Sequence, residues 1–330
     1  MQNLFSKLAV ASMLTAAASA IAGAQTVSTL IPFDAATRGI ATDPIRNKVY
    51  VVAPEPGGLT VGLAVIDGSA NTVTTTVPLT TGAFYPTVDY FANKIYVTGC
   101  NNQVQPVACS VTVVDGNTDA VVATIPVTTT VGRGLTGITV NPLTGLVYVA
   151  NASDKVIDII NGWKNTLVGS ISLNGNAPSA IALNPVLNLL YVPYGTNQIG
   201  VVDAWKQKVV TTATFGSDTV GAAANPFTGN VFITDRETSG PSAAGVLQAN
   251  GTVTTSVSVG DDPLGVDVDP LTNLAFVAST SQNEIDVIDG STNTFKTSVT
   301  GVSARYVAVN MGTQTVYVSG TEGVTVLTEK

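Results

Sequence analysis

Arginine is scarce in this chain of 330 residues, and three of its five copies, Arg38, Arg133 and Arg305, stand just ahead of short runs of alternating small and branched residues. A guanidinium presents a planar fork of donors that suits carboxylates and other oxyanions. Tyr85, Tyr194 and Tyr306 fall nearby in the pattern and would set flat, hydrogen-bonding surfaces beside that charge. The chemistry these residues suggest is capture of a small anion, with Arg38, Tyr85, Arg133, Arg305 and Tyr306 as the candidate ligand-binding set. The competing reading is that each arginine pairs with an acidic neighbour or caps a carbonyl.

Other chemistries are narrowed by what the chain lacks. Histidine is absent. That excludes Ser-His-Asp and Cys-His nucleophiles, a histidine general base, and almost every zinc, copper or haem site. No catalytic constellation, metal site or cofactor motif is identifiable. Asp218, Asp261, Asp262 and Asp267 are the carboxylates least explained by any recurring pattern. They could bind Ca²⁺ or act as an acid/base pair, but their spacing fits no EF-hand, and solvated loop charge is the favoured reading. Cys100 and Cys109 bracket NNQVQPVA. An isolated pair across a hairpin loop of an exported chain reads as a disulfide, and neither a CxxC spacing nor a histidine supports a redox or metal role.

Export itself is read from residues 1–24. Lys7 precedes the apolar run LAVASMLTAAASAIAGA, which ends in the small-residue pattern Ala22-Gly23-Ala24 before Gln25. This is the form of a secretory signal peptide, and it leaves residues 25–330 as a single mature domain with no transmembrane segment. The composition is rich in Val, Thr, Ala and Gly, with 11% charged residues, which favours strands and tight turns over helices. A net charge of −8 argues against nucleic acid as a partner and, by the same reasoning, against anionic membrane surfaces.

The elements that must position these side chains come from a repeat. Seven phrases align without gaps: ATDPIRNKVYVV, TVDYFANKIYVT, TVNPLTGLVYVA, ALNPVLNLLYVP, AANPFTGNVFIT, DVDPLTNLAFVA and AVNMGTQTVYVS. Their anchors are Asp43, Asp89, Asn141, Asn184, Asn225, Asp269 and Asn310, each followed seven positions later by Tyr or Phe. Within each unit an alternating run leads into an Asx turn and then the aromatic strand. A third strand such as LAVID follows, then a turn and a fourth strand such as VTTTVPL. Four strands in about 40 residues make a propeller blade.

The expected fold is therefore all-β: a seven-bladed β-propeller with four-stranded blades. The last unit stops after its third strand, GVTVLTEK, and TVSTLIPF at residues 26–33 has the character of the missing fourth. The N-terminal strand should complete the last blade and close the ring, making the blades of Arg38 and Arg305 neighbours. Asp67, Asp115, Asp203 and Asp289 recur at the end of the third strand, where an Asx turn needs them. Blade five lacks that Asp-Gly turn, so its outer hairpin is the departure from the pattern. Loops longer than the repeat requires lie at 53–62, between the cysteines, and at 234–245. Trp163 and Trp205 occupy equivalent turns at the opposite end, where shielding of blade edges is favoured over a stacking site.

YVAN at 148–151, YVTG at 96–99 and YVSG at 317–320 closely resemble the YVTN-type β-propeller repeat of exported bacterial YncE-like proteins and archaeal surface-layer proteins. The resemblance covers residues 26–330 and is specific for fold. It is weak for function, because that family is mostly without assigned activity; the leader and the channel-mouth residues point to a secreted or periplasmic protein of the bacterial cell envelope, most simply a binding or interaction module with its site at the channel mouth. The partner would be a small anionic ligand or a protein or glycan of the envelope. A lactonase, lyase or glycan-cleaving enzyme using carboxylates or Ca²⁺ is the first alternative, and a surface-layer or adhesive component the second.

Overall fold

The computed structural model describes residues 25–54, 61–79, 82–101, 108–127, 134–237 and 241–329. The leader at 1–24 and Arg133 lie outside them. The described chain folds into seven four-stranded antiparallel sheets, one per repeat, with a single 3-10 turn at Thr280–Gln282 as its only helical element. In the first blade the strands run Ile40–Asp43, Lys48–Pro54, Val61–Asp67 and Thr72–Pro78 from the channel outward. The seventh blade takes Tyr306–Asn310, Thr315–Ser319 and Gly323–Glu329 from the C-terminal end and Gln25–Pro32 as its outer strand. That strand pairs from Gln25 opposite Glu329 to Pro32 opposite Gly323. Ile31 packs with Ile40, Val51, Val324 and Val326, so the seam between first and last blades is filled by both chain ends.

The repeat phrase is a turn specification. Each anchor carboxylate or amide oxygen accepts backbone N–H bonds two or three residues on, as from Ile45 and Arg46 to Asp43 and from Leu143 to Asn141. Four residues after the anchor the backbone is left-handed in all seven blades, at Asn47, Asn93, Gly145, Asn188, Gly229, Asn273 and Gln314. Six of these are Asn or Gly, the residues that adopt that conformation at least cost. The repeat aromatics Tyr50, Tyr96, Tyr148, Tyr191, Phe232, Phe276 and Tyr317 are all buried between blades, none more than 1% exposed. Several reach across to hold the next blade: the hydroxyl of Tyr191 donates to Ala249 O at 2.9 Å, and that of Tyr317 to Gly68 O at 3.4 Å. Amides make a second ring of latches, Asn141 to Asn188, Asn225 to Asn273 and Asn310 to Asn47.

Blade five is complete despite its unusual sequence. Ala243–Leu247 pairs with Val253–Ser258, and the missing Asp is replaced by a turn in which Gly251 takes a positive φ and donates to Gln248 O. Cys100 and Cys109 stand directly opposite each other on paired strands of blade two and form a disulfide.

Candidate functional site

The first and third turns of every blade lie at one end of the ring. The links between blades lie at the other, where the inner strands begin. Arg38 and Arg305 occupy equivalent backbone positions there, Arg38 N–H donating to Val52 O and Arg305 N–H to Ser319 O. One residue further, four before each anchor, stand Gly39, Tyr85, Gly137, Ala180, Gly221, Gly265 and Tyr306. All seven line a central cavity of about 150 Å³. The glycines are required by contact between inner strands. A Cβ on Gly39 would fall 2.6 Å from Phe84 O, and one on Gly265 would fall 2.7 Å from Tyr306 Cα. The neck is thus built of small residues on five blades and tyrosine on two.

Tyr85 and Tyr306 meet edge to face with ring centroids 5.9 Å apart, and Phe84 joins both, at 4.5 Å from Tyr85 and 5.9 Å from Tyr306. The Arg38 guanidinium lies over the Phe84 ring at 5.4 Å and donates to Ala83 O at 2.8 Å. Half-buried Arg305 has no ion-pair or side-chain hydrogen-bond partner among the described residues. Neither arginine is neutralised by a carboxylate there. Burial pushes the Tyr85 phenol well above its usual range, with Tyr306 adding to the shift and Arg305 opposing it. Tyr306 is raised by burial as well, while a hydrogen bond from Tyr85 and the charges of Arg305, Arg38 and Arg236 pull it down. Three guanidinium groups therefore act on one phenol at the mouth of an acidic protein.

The structure brings together four of the five residues singled out in the sequence, Arg38, Tyr85, Arg305 and Tyr306. Arg133 falls outside the described residues. Tyr194 does not join them. It is buried in blade four, packed against Gly200 and bonded to Thr212, because its strand carries it between blades instead of toward the channel. Phe84 is the member that sequence reasoning missed, although its place beside Tyr85 in the aromatic-rich AFYP was the available signal.

The leftover carboxylates divide. Asp218 takes two bonds from Arg236, at 2.9 and 3.2 Å, and Asp262 lies 3.7 Å from the same guanidinium. With Glu237 and Asp261 they border a cavity of about 360 Å³ between blades five and six. Among the described residues no group of three or more Asp, Glu or Cys is arranged to hold a metal ion. Asp267 is separate, lining the channel's far half in a cavity of about 350 Å³. Its oxygens accept from Val268 N at 2.9 Å and, across the blade boundary, from Val309 N at 2.8 Å. Burial raises its pKa to about 6 against these two bonds. Trp163 and Trp205 do not shield blade edges as the sequence suggested. They are 61% and 69% exposed, Trp163 resting by its indole N–H on Thr144 O and leaving most of its ring in solvent.

Comparison with known proteins supports the architecture. The chain is similar to a chain of hydrazine synthase from Kuenenia stuttgartiensis, with a TM-score of 0.75 at 17% identity over 92% of this chain and 98% of that one. At that identity the likeness shows the fold alone: this is a seven-bladed β-propeller. Among curated proteins, a segment of 53 residues is 42% identical to the PE-PGRS family protein PE_PGRS18 of Mycobacterium tuberculosis. That match spans 16% of this chain and 11% of that protein's length. No protein-family model matches the chain.

Proposed function

We propose that this propeller is an exported binding module of the YVTN-repeat, YncE-like type, which holds a small organic anion at the end of its channel where the blade links converge. The observation that carries the reading is Arg305. Its guanidinium lies beside a tyrosine-lined neck, and no carboxylate among the described residues pairs with it. Arg38 gives one N–H to Ala83 O and lies over the Phe84 ring of the same aromatic group, with no carboxylate paired to it among the described residues. A carboxylate ligand would complete both, with the Tyr85 and Tyr306 hydroxyls as neutral partners, since a phenol is protonated at physiological pH and burial raises both further. Propeller folds carry many unrelated activities, so the site and not the fold supports this reading.

A thermal-shift screen of residues 25–330 against mono- and dicarboxylates, sugars and oligosaccharides tests it. A ligand at a hundred times its dissociation constant stabilises by about 2.7 kcal/mol. The expected result is a rise with carboxylates that disappears in the Arg38→Ala, Arg305→Ala double variant. A rise that survives in that variant, or one produced only by uncharged glycans, contradicts it.

A further inference from the structure

The opposite end of the ring carries a feature that the anion site does not use. The chain has two tryptophans, and both stand on that end, Trp163 and Trp205, in the last turns of blades three and four. Beside them, at the tips of the first turns of blades three to five, Leu143, Val186, Leu187 and Phe227 are 46 to 60% exposed. A soluble monomer has no need to gather two indoles, a phenyl ring and three aliphatic side chains on successive turns at one end, and such a patch ordinarily marks an interaction surface.

The charge pattern of the same sector selects the partner. In blades one, two and six the first-turn caps are Asp43, Asp89 and Asp269, whereas in blades three to five, as in blade seven with Asn310, they are asparagines, Asn141, Asn184 and Asn225, and blade three alone repeats the substitution with Asn161 in its last turn. These asparagines make the same turn bonds as the aspartates, to Leu143, Val186, Leu187 and Phe227 N–H and, from Asn161, to Trp163 and Lys164 N–H. The turn geometry is preserved while the negative charge is removed. What remains charged in these turns is Lys164, Lys206 and Lys208 against Asp203, whose carboxylate is bonded to Lys206 at 2.7 Å. In a protein of net charge −8 this sector is net positive. Each Trp is followed directly by a Lys, Trp163-Lys164 and Trp205-Lys206. An amphipathic ring beside a cation is the pairing favoured at the headgroup level of a bilayer, where the cation meets lipid phosphate. The aliphatic tips offer a sugar nothing to bond or stack upon, but they suit the boundary of an acyl layer.

We propose that the turns of blades three to five at this end dock on the surface of a bilayer containing anionic phospholipid, with both indoles at headgroup depth and Lys164, Lys206 and Lys208 on the phosphates. The ring would then stand with its arginine-bearing mouth away from the lipid. The overall negative charge, which in the sequence argued against an anionic membrane, conceals this separation by sector.

Because both tryptophans lie in the patch, tryptophan emission excited selectively over the chain's nine tyrosines reports on it alone. Residues 25–330 are titrated with vesicles of phosphatidylglycerol mixed with phosphatidylcholine, and with vesicles of phosphatidylcholine only, while emission and co-sedimentation are followed. The expected result is a blue shift with co-sedimentation on the anionic vesicles, weakened by salt and at least about tenfold weaker for Lys164→Glu, Lys206→Glu. Trp163→Ala, Trp205→Ala should lose co-sedimentation while retaining the melting temperature, since both rings are mostly in solvent. An emission spectrum unchanged by anionic vesicles overturns the proposal. So does a blue shift that grows with protein concentration in the absence of lipid, which would mean a second copy of the chain, or one produced by oligosaccharide and not by vesicles.

Discussion

The two ends of this propeller are built by the same repeat and use their polar residues differently. At the turn end, anchors and their neighbours are satisfied within the ring. Asp43 caps two N–H groups and pairs with Arg46, Lys48 and Lys94 reach carbonyls of the next blade, and Asn225 bridges to Asn273. At the link end, Arg305 has no such partner among the described residues, and Arg38 is stacked on an aromatic ring instead of paired with a carboxylate. Most polar groups that recur from blade to blade are explained by turn and latch chemistry, the buried Tyr50 and Tyr148 hydroxyls, which have no partner among the described residues, being exceptions. Those that break the repeat are where binding is to be sought.

The contrast can be broken most forcefully at a latch. Tyr191→Ala removes a ring that is fully buried between blades and a hydroxyl bonded to Ala249 O. It should cost about 3–5 kcal/mol in denaturant unfolding. A loss under about 1 kcal/mol would mean that the repeat aromatics do not hold the blades together. Replacing both Cys100 and Cys109 by Ser should cost about 2–3 kcal/mol, because the bond closes a short loop in the unfolded chain. Equal stability of wild type under oxidising and reducing conditions would contradict that.

Asp267 is a repeat-breaking residue at neither end, and its effect has a definite sign. Its folded-state pKa is raised to about 6, so between ordinary carboxylate values and that pH the folded protein holds a proton the unfolded chain has released. Stability contributed by this group is present at low pH and is lost as pH rises through the window. Asp267→Asn should flatten that slope, and because an amide accepts only one of the two N–H bonds the carboxylate takes, the variant should be less stable than wild type at low pH by on the order of 1 kcal/mol. Stability profiles of wild type and variant that run parallel from pH 4 to 7 would show that the carboxylate is not desolvated. The smallest effect is expected at the candidate site itself. Arg305→Ala should change stability by no more than about 0.5 kcal/mol, as at other positions without a structural partner. A larger loss would make Arg305 a structural residue and remove the contrast between the ends.

Much of this was legible in the sequence because the repeat encodes local events. An Asx cap, a left-handed Asn or Gly and an aromatic at fixed spacing specify a turn and the strand after it, and seven copies specify the ring. Closure was legible from the strand missing at one terminus and present at the other. The grouping of Arg38 with Arg305 was legible, since they share a repeat position and closure makes their blades adjacent. Contacts across blades at irregular positions were not. Phe84 stacks on Arg38 from the following blade, and Asp267 accepts a bond from Val309 of the next inner strand. Neither position is fixed by the repeat. Trp163 and Trp205 were placed at the correct turns, but exposure depends on how far the neighbouring blade extends, which spacing does not encode.

The measurement that bears most directly on the account is calorimetric titration of residues 25–330 with the carboxylate that raises the melting temperature most, in wild type and in Arg305→Ala. The account predicts one site per chain, affinity that weakens with salt, and at least about a tenfold loss in the variant, the size expected for one charge-assisted contact. Unchanged affinity in Arg305→Ala, with the variant folded as wild type, would contradict an anion site at this end of the channel.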